Sequence, residues 1–201
     1  MPSSDPHDEA VYVLDFGSQT AQLIARRLRE AGVLALLERP DIPATELARR
    51  RPKGIVLSGG PASVYEPNAP RCDPEIFNLG IPILGICYGM QIACHTLGSR
   101  IAPGPKREFG RATLHINDRP AIFKGIPDNS TVWMSHGDHV DKIDRDFETL
   151  ARTPTVPHAA VRHRSKPFHG LLFHPELTHT PHGADILRNW LYEVCRCRGT
   201  W

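Results

Sequence analysis

Three short stretches of this 201-residue chain carry residue types suited to covalent chemistry. Gly85-Ile86-Cys87-Tyr88-Gly89 follows the apolar run Ile81-Pro82-Ile83-Leu84 and precedes a helical pattern that ends near Leu97. Strand, glycine-flanked cysteine, then helix is the order of a nucleophile elbow with cysteine in the serine position. Such a sharp turn forces its central residue into a strained conformation, and flanking glycines let the turn close and a substrate approach. The turn would also seat Cys87 at a helix N-terminus, where unsatisfied amides and the helix dipole favour an anionic sulfur. Taken alone, the pentapeptide fits an ordinary turn with a core cysteine equally well.

A thiolate nucleophile needs a base and a group that orients it. Leu171-Leu172-Phe173-His174-Pro175-Glu176 offers both. On an extended chain His174 and Glu176 face the same way, so the carboxylate could meet one imidazole nitrogen while the other faces a substrate. The competing reading is a strand end with solvated polar residues. His136 and His139, in a stretch read as a loop, are rival bases. The third stretch is Ser58-Gly59-Gly60-Pro61. A Gly-Gly turn at a strand's carboxyl end can aim a backbone N–H into the crevice of an open α/β sheet. With the N–H of Tyr88 it could hold the oxyanion of a tetrahedral acyl intermediate, although an ordinary loop turn has the same composition. No phosphate-loop lysine follows and no G-x-G-x-x-G succeeds the first strand, so nucleotide binding is not indicated.

The elements that must position these stretches alternate apolar runs with helical patterns, which predicts an α/β domain with parallel strands. VYVLDF (11–16) reads as a buried strand, followed by a helix with Ser18 as N-cap and Gly32 closing it. LALLE (34–38) and GIVLS (54–58) are further strands, IPATELARR and CDPEIFNLG short helices. From about Arg107 the segments RATLHI, STVWMS, FETLAR, AAVRHR and FHGLLFH form an extra β-rich portion. A last helix has Thr180 as N-cap, Pro181 in its first turn, and Ile186, Leu187, Trp190, Leu191 and Val194 on one face. Residues 1–9 are expected to be loose and residues 10–201 to form one domain.

Composition narrows the function classes. With 40% hydrophobic and 23% charged residues the chain suits one soluble core. A net charge of +2 with both signs scattered gives no basic stripe for a nucleic-acid backbone. The first apolar run is too short for a signal or membrane segment, and the five cysteines lack paired spacing, so a reducing cytoplasmic location is expected. The eleven histidines do not fall in metal-ligand spacing, and no metal site is expected.

DFGSQ (15–19), SGGPASVYE (58–66), GICYGMQ (85–91), KREFGRA (106–112), MSHGD (134–138) and FHPELTHT (173–180) span nearly the whole chain. Together with the ending ILRNWLYEVCRCRGTW, they resemble the glutaminase domain of the GMP synthase family, a triad-type (class I) glutamine amidotransferase. The resemblance implies a flavodoxin-like fold, a central mostly parallel sheet flanked by helices. It implies Cys87 as nucleophile, His174 and Glu176 completing the triad, and the amides of Gly60 and Tyr88 as oxyanion hole. Gln91 and the segment Ser135, His136 and Gly137 would hold substrate L-glutamine, which makes His136 a substrate contact rather than a base.

The implied reaction hydrolyses glutamine to glutamate and ammonia through a cysteine thioester. The ammonia would pass to an ATP-pyrophosphatase synthetase domain or subunit that aminates xanthosine monophosphate to GMP. No S-G-G-x-D-S-like loop occurs in this chain, so ATP and Mg2+ are expected only in that partner and no cofactor here. Leu172 departs from the family's usual glutamine, and Leu177 from valine. Alternatives are another triad amidotransferase, a γ-glutamyl hydrolase, or a glutamine-binding regulatory module idle without its partner.

Overall fold

Branched apolar residues in four-residue runs build the half of the sheet that carries the candidate chemistry. The structure, a computed structural model, describes residues 9–201, the side chains of residues 105–107 excepted. Strands β1 (Val11–Leu14), β3 (Gly54–Leu57) and β4 (Ile83–Ile86) form its centre, and every residue of β3 and β4 is buried. Full burial of both faces is what parallel strands covered by helices require. The helices are α1 (Ala21–Glu30), α2 (Ala44–Arg50), α3 (Tyr88–Thr96) and α4 (Gly183–Asn189).

The remaining strands are β2 (Ala35–Glu38), β5 (Arg100–Ile116), β6 (Ser130–Lys142), β7 (Phe147–Arg152), β8 (Ala160–His163) and β9 (Phe168–Leu171). All nine join one sheet in the order β2-β1-β3-β4-β9-β8-β7-β5-β6. Pairings from β2 to β9 are parallel and those from β9 to β6 antiparallel, so the sheet is mixed. Its parallel part has the strand order of flavodoxin-like folds, whose ligands sit beyond the carboxyl ends of the strands. Those ends deliver residues 15–20, 58–63, 87 and 172–176 to one edge of the sheet.

Several local expectations are corrected. Ser18 is not the cap of α1. The Asp15 carboxylate accepts hydrogen bonds from the N–H groups of Gly17 and Ser18, and the Ser18 hydroxyl accepts from Thr20 N–H. These bonds hold a turn for two more residues, and Thr20 becomes the N-cap. Gly32 does close the helix, in the left-handed region at φ +85°. Strand β5 starts seven residues before Arg107 and runs through Ala102-Pro103-Gly104-Pro105, with a register shift between Pro103 and Glu108. Pro103 is still in register with Asp138, and the shift begins beyond it. His136 to His139, read as a loop, lie within β6, which pairs with β5.

The terminal helix starts at Gly183 with His182 as cap, not at Thr180, and ends in one π turn over Trp190–Val194. Its face buries Ile186, Leu187, Trp190 and Leu191, whereas Val194 is partly exposed. Residues 1–8 lie outside the described residues. Glu9, expected to be loose, is buried; its carboxylate accepts from the backbone and guanidinium of Arg198. Trp201 N–H donates to Gly32 carbonyl. Both ends of the described chain are thus tied together beside the amino end of β1. Among the described residues no helix is long and apolar enough to cross a membrane.

Helix α3 packs so closely under β3 that a Cβ on Gly89 would collide with the carbonyl of Leu57. Gly89→Ala is expected to lower the unfolding free energy by about 3 kcal/mol or more, measured by urea denaturation. A change within about 0.5 kcal/mol would show that the approach of helix to strand is not tight.

Candidate active site

The elbow forms as its glycines require. Cys87 sits between β4 and α3 with φ 51° and ψ −109°, a conformation that side chains rarely adopt. A Cβ on Gly85 would lie 2.7 Å from both the Gly89 carbonyl and the Met90 nitrogen, so the turn closes only around glycine. Cys87 N–H donates to the Leu171 carbonyl at 2.7 Å, which ties the elbow to the end of β9, the strand leading to His174.

Glu176 meets His174 as expected, but not on an extended chain. Strand β9 stops at Leu171, and a turn carries His174-Pro175-Glu176. Within it His174 Nδ1 lies 2.7 Å from Glu176 Oε1. Neither is solvated, with exposures of 7% and 1%. Burial disfavours the imidazolium, yet hydrogen bonds to Cys87 and Glu176 and the charge of the two outweigh it, and the His174 pKa rises to about 10.

Thr180, misread as a helix cap, braces this histidine. Its hydroxyl donates to the His174 carbonyl at 2.8 Å and accepts from Trp133 N–H at 3.0 Å, while His174 N–H donates to the Trp133 carbonyl. A guanidinium from α1 holds the turn from the other side, Arg27 Nε donating to the Glu176 carbonyl at 3.1 Å. A Cβ on Gly183 would strike the Pro175 carbonyl, so α4 also packs on the turn without a side chain between. A hydroxyl before a proline looks like a capping residue in sequence, and nothing local distinguishes the two uses.

Cys87, His174, Gly60, Gln91, Ser135, His136 and Gly137 line one cleft of about 780 Å³. The N–H groups of Gly60 and Tyr88 donate to no described residue. The Tyr88 ring plays no part at the cleft: it is buried, and its hydroxyl donates to the Pro70 carbonyl. Gln91 lies at 3% exposure with its Nε2 donating to the Asp138 carbonyl at 2.8 Å, and the Cys87 sulfur lies 3.4 Å from the Ser135 carbonyl oxygen. His136 is buried with Nε2 3.3 Å from Glu108 Oε2; burial lowers its pKa, against the pull of Glu108.

Gly59, in the turn singled out from the sequence, comes close to the reacting pair: a Cβ there would lie 3.3 Å from His174 Cε1 and 3.8 Å from Cys87 Cβ. One contributor escaped sequence reasoning. Asp138 joins three elements, accepting from Ser63 Oγ at 2.6 Å with its carboxylate and from Gln91 with its carbonyl. Leu172 is fully buried and does not line the cleft.

The raised pKa sets a testable pH dependence. The His174 imidazolium is favoured by folding, so its contribution to stability is complete below about pH 6.5, declines above it, and is lost by about pH 10. In Glu176→Gln the imidazole resonances should titrate at a lower pH than in the parent chain, and this decline in stability should shrink. An unchanged titration midpoint would show that the carboxylate does not hold the proton on His174.

Comparison with known proteins places this geometry. Residues 12–194 match the class-I glutamine amidotransferase family. A protein of Prochlorococcus marinus (strain NATL2A) named GMP synthase [glutamine-hydrolyzing] is 48% identical over 202 residues, covering 100% of this chain. One of the same name from Caldanaerobacter subterraneus subsp. tengcongensis is 50% identical over 193 residues, covering 96%. The chain spans 38% of the length of each of these relatives. A crystal structure of a Thermoplasma acidophilum protein described as a GMP synthase subunit superposes with a TM-score of 0.82 at 31% identity, over 94% of both chains. A glutamine amidotransferase from Thermotoga maritima shares the fold alone, with a TM-score of 0.76 at 19% identity over 95% of this chain and 100% of its own. With its elbow cysteine, buried His174–Glu176 pair and a family match over 183 consecutive positions, 12 to 194, the chain belongs to the class-I glutamine amidotransferases.

Proposed function

We propose that this chain hydrolyses L-glutamine to glutamate and ammonia and feeds the ammonia to a GMP-forming synthetase. The observation that carries the reading is the buried His174–Glu176 pair, 2.7 Å apart, with His174 and Cys87 lining one cleft and Cys87 among the groups that raise the His174 pKa. Cys87 sulfur attacks the side-chain carboxamide carbon, forming a carbon–sulfur bond and a tetrahedral oxyanion opposite the amides of Gly60 and Tyr88. The His174 imidazolium gives its proton to the departing nitrogen, the carbon–nitrogen bond breaks, and ammonia leaves a γ-glutamyl thioester. The imidazole, now neutral, takes a proton from water as its oxygen attacks the thioester. Collapse releases glutamate and returns the sulfur, while Glu176 keeps the imidazole turned toward Cys87 throughout. Gln91 and the β6 residues Ser135 to Gly137 form the wall that holds the substrate's amino-acid end.

The names of the relatives, GMP synthase [glutamine-hydrolyzing], support GMP formation as the destination of the ammonia. The proposal takes xanthosine monophosphate as the acceptor, with ATP and Mg2+ used on the synthetase side and no cofactor at Cys87. The cytoplasm is the proposed compartment, a reading supported by five free cysteines.

Cys87→Ala is expected to lower glutamine-derived ammonia by on the order of 10³-fold or more. In an assay with a synthetase, xanthosine monophosphate, ATP and Mg2+, the variant should lose glutamine-dependent GMP formation yet keep formation from added ammonium. Retained glutamine hydrolysis would sink the assignment of the nucleophile, and parent-chain ammonia never accepted by the synthetase would sink the partner.

A further inference from the structure

The hydroxyl of Ser58 is wholly buried at the end of β3, on the inner side of the Gly59–Gly60 turn. Ser58 N–H donates to the Leu14 carbonyl at 3.1 Å, so its backbone is fixed to β1. Its Oγ accepts from Phe16 N–H at 2.9 Å. With that lone pair engaged, the single hydroxyl proton is turned to the Gly59 carbonyl, 2.9 Å away.

A trans peptide points its C=O and N–H in opposite directions. Holding the Gly59 carbonyl inward toward Ser58 and Phe16 therefore points the Gly60 N–H outward, on the cleft side. The other end of the same peptide is equally confined: a Cβ on Gly60 would lie 2.7 Å from the Phe16 carbonyl, so its Cα rests against β1's exit. Gly60 lines the cleft, and its N–H donates to no described residue. Between two glycines, which resist neither peptide orientation on steric grounds, a hydrogen bond on the carbonyl decides which orientation is populated.

The geometry points to Ser58 as the positioning residue that presets the oxyanion donor, through the chain Phe16 N–H to Ser58 hydroxyl to Gly59 carbonyl. It rests on the proposed role of the Gly60 amide in glutamine hydrolysis. Ser58 touches no reacting atom, and it acts by making the donor present before substrate arrives, which spares reorganisation during the reaction.

The test compares two reactions of the same sulfur in Ser58→Ala. Glutamine hydrolysis passes through an oxyanion, whereas alkylation of Cys87 by iodoacetamide is a direct displacement that forms a carbon–sulfur bond and releases iodide without one. Losing an oxyanion donor costs about 10²–10³ in kcat; a donor left in place but free to turn should cost roughly tenfold or more. We expect kcat to fall by that amount, with KM and the alkylation rate within about twofold of the parent. Ser58→Cys, which keeps a weak donor in nearly the same volume, should fall between.

Equal losses in both reactions would assign Ser58 a general packing role, and an unchanged kcat would remove it from the reaction; either overturns the proposal. Should the parent chain hydrolyse no glutamine, the functional reading fails by itself and the peptide is judged directly. The ¹⁵N amide resonance of Gly60, single in the parent, should then broaden or split in Ser58→Ala, and a sharp, unshifted signal would overturn the lock.

Discussion

The approach of α3 to the end of β3 is the constraint on which the rest of the site depends. A residue held at φ 51° and ψ −109° costs of order 1–3 kcal/mol, and the Cys87 side chain makes no capping bond to the first turn of α3 that would offset it. The compensation comes from packing: Gly89 lies on the Leu57 carbonyl, Gly85 on the Gly89 carbonyl, and the Cys87 amide on the Leu171 carbonyl. Three parallel strands thus meet at one elbow. The same bond to Leu171 fixes where β9 ends, and therefore where His174 begins its turn. Nucleophile and base are registered to each other through the sheet rather than through their own flexible side chains.

Electrostatics then act on a geometry already set. Two nearly unexposed ionisable groups, His174 and Glu176, are tolerable because each supplies the other's missing charge, and the Cys87 sulfur adds to the pull on the proton. Only one carboxylate oxygen of Glu176 is used; Oε2 has no partner among the described residues. Removing the imidazole would leave the carboxylate buried and alone, the costly case for a charge pair. The backbone around the pair is secured on three sides, by Thr180, by Arg27 and by the face of α4 at Gly183.

How much of this could be read from the sequence depended on the range over which each signal acts. The elbow was legible because its demands are local: a cysteine between glycines at a strand-to-helix boundary has few other uses once a histidine and a glutamate two residues apart occur elsewhere in the chain. The parallel strands were legible as short branched runs. What failed were residues whose partners lie far away in sequence. Thr180 before Pro181 fits a helix cap by every local rule, and only Trp133, 47 positions earlier, reveals its use. His136-Gly137-Asp138-His139 has no apolar alternation, yet pairing with β5 makes it strand. Asp138 and Ser63 are 75 positions apart, and neither residue type announces the other. Strand β5 extends further toward the N-terminus than its apolar residues indicate, through Pro103-Gly104-Pro105, where a register shift follows Pro103.

The clasp of Glu9 on Arg198, with Trp201 on the Gly32 carbonyl, has a consequence for the architecture around the cleft. The two ends of the described chain meet beside the amino end of β1, while Cys87, Gly60 and His174 sit at the carboxyl ends of their strands. Every segment that borders the cleft, whether loop, strand or helix, consequently continues into described chain on both sides, and neither end of the described chain hangs near its mouth.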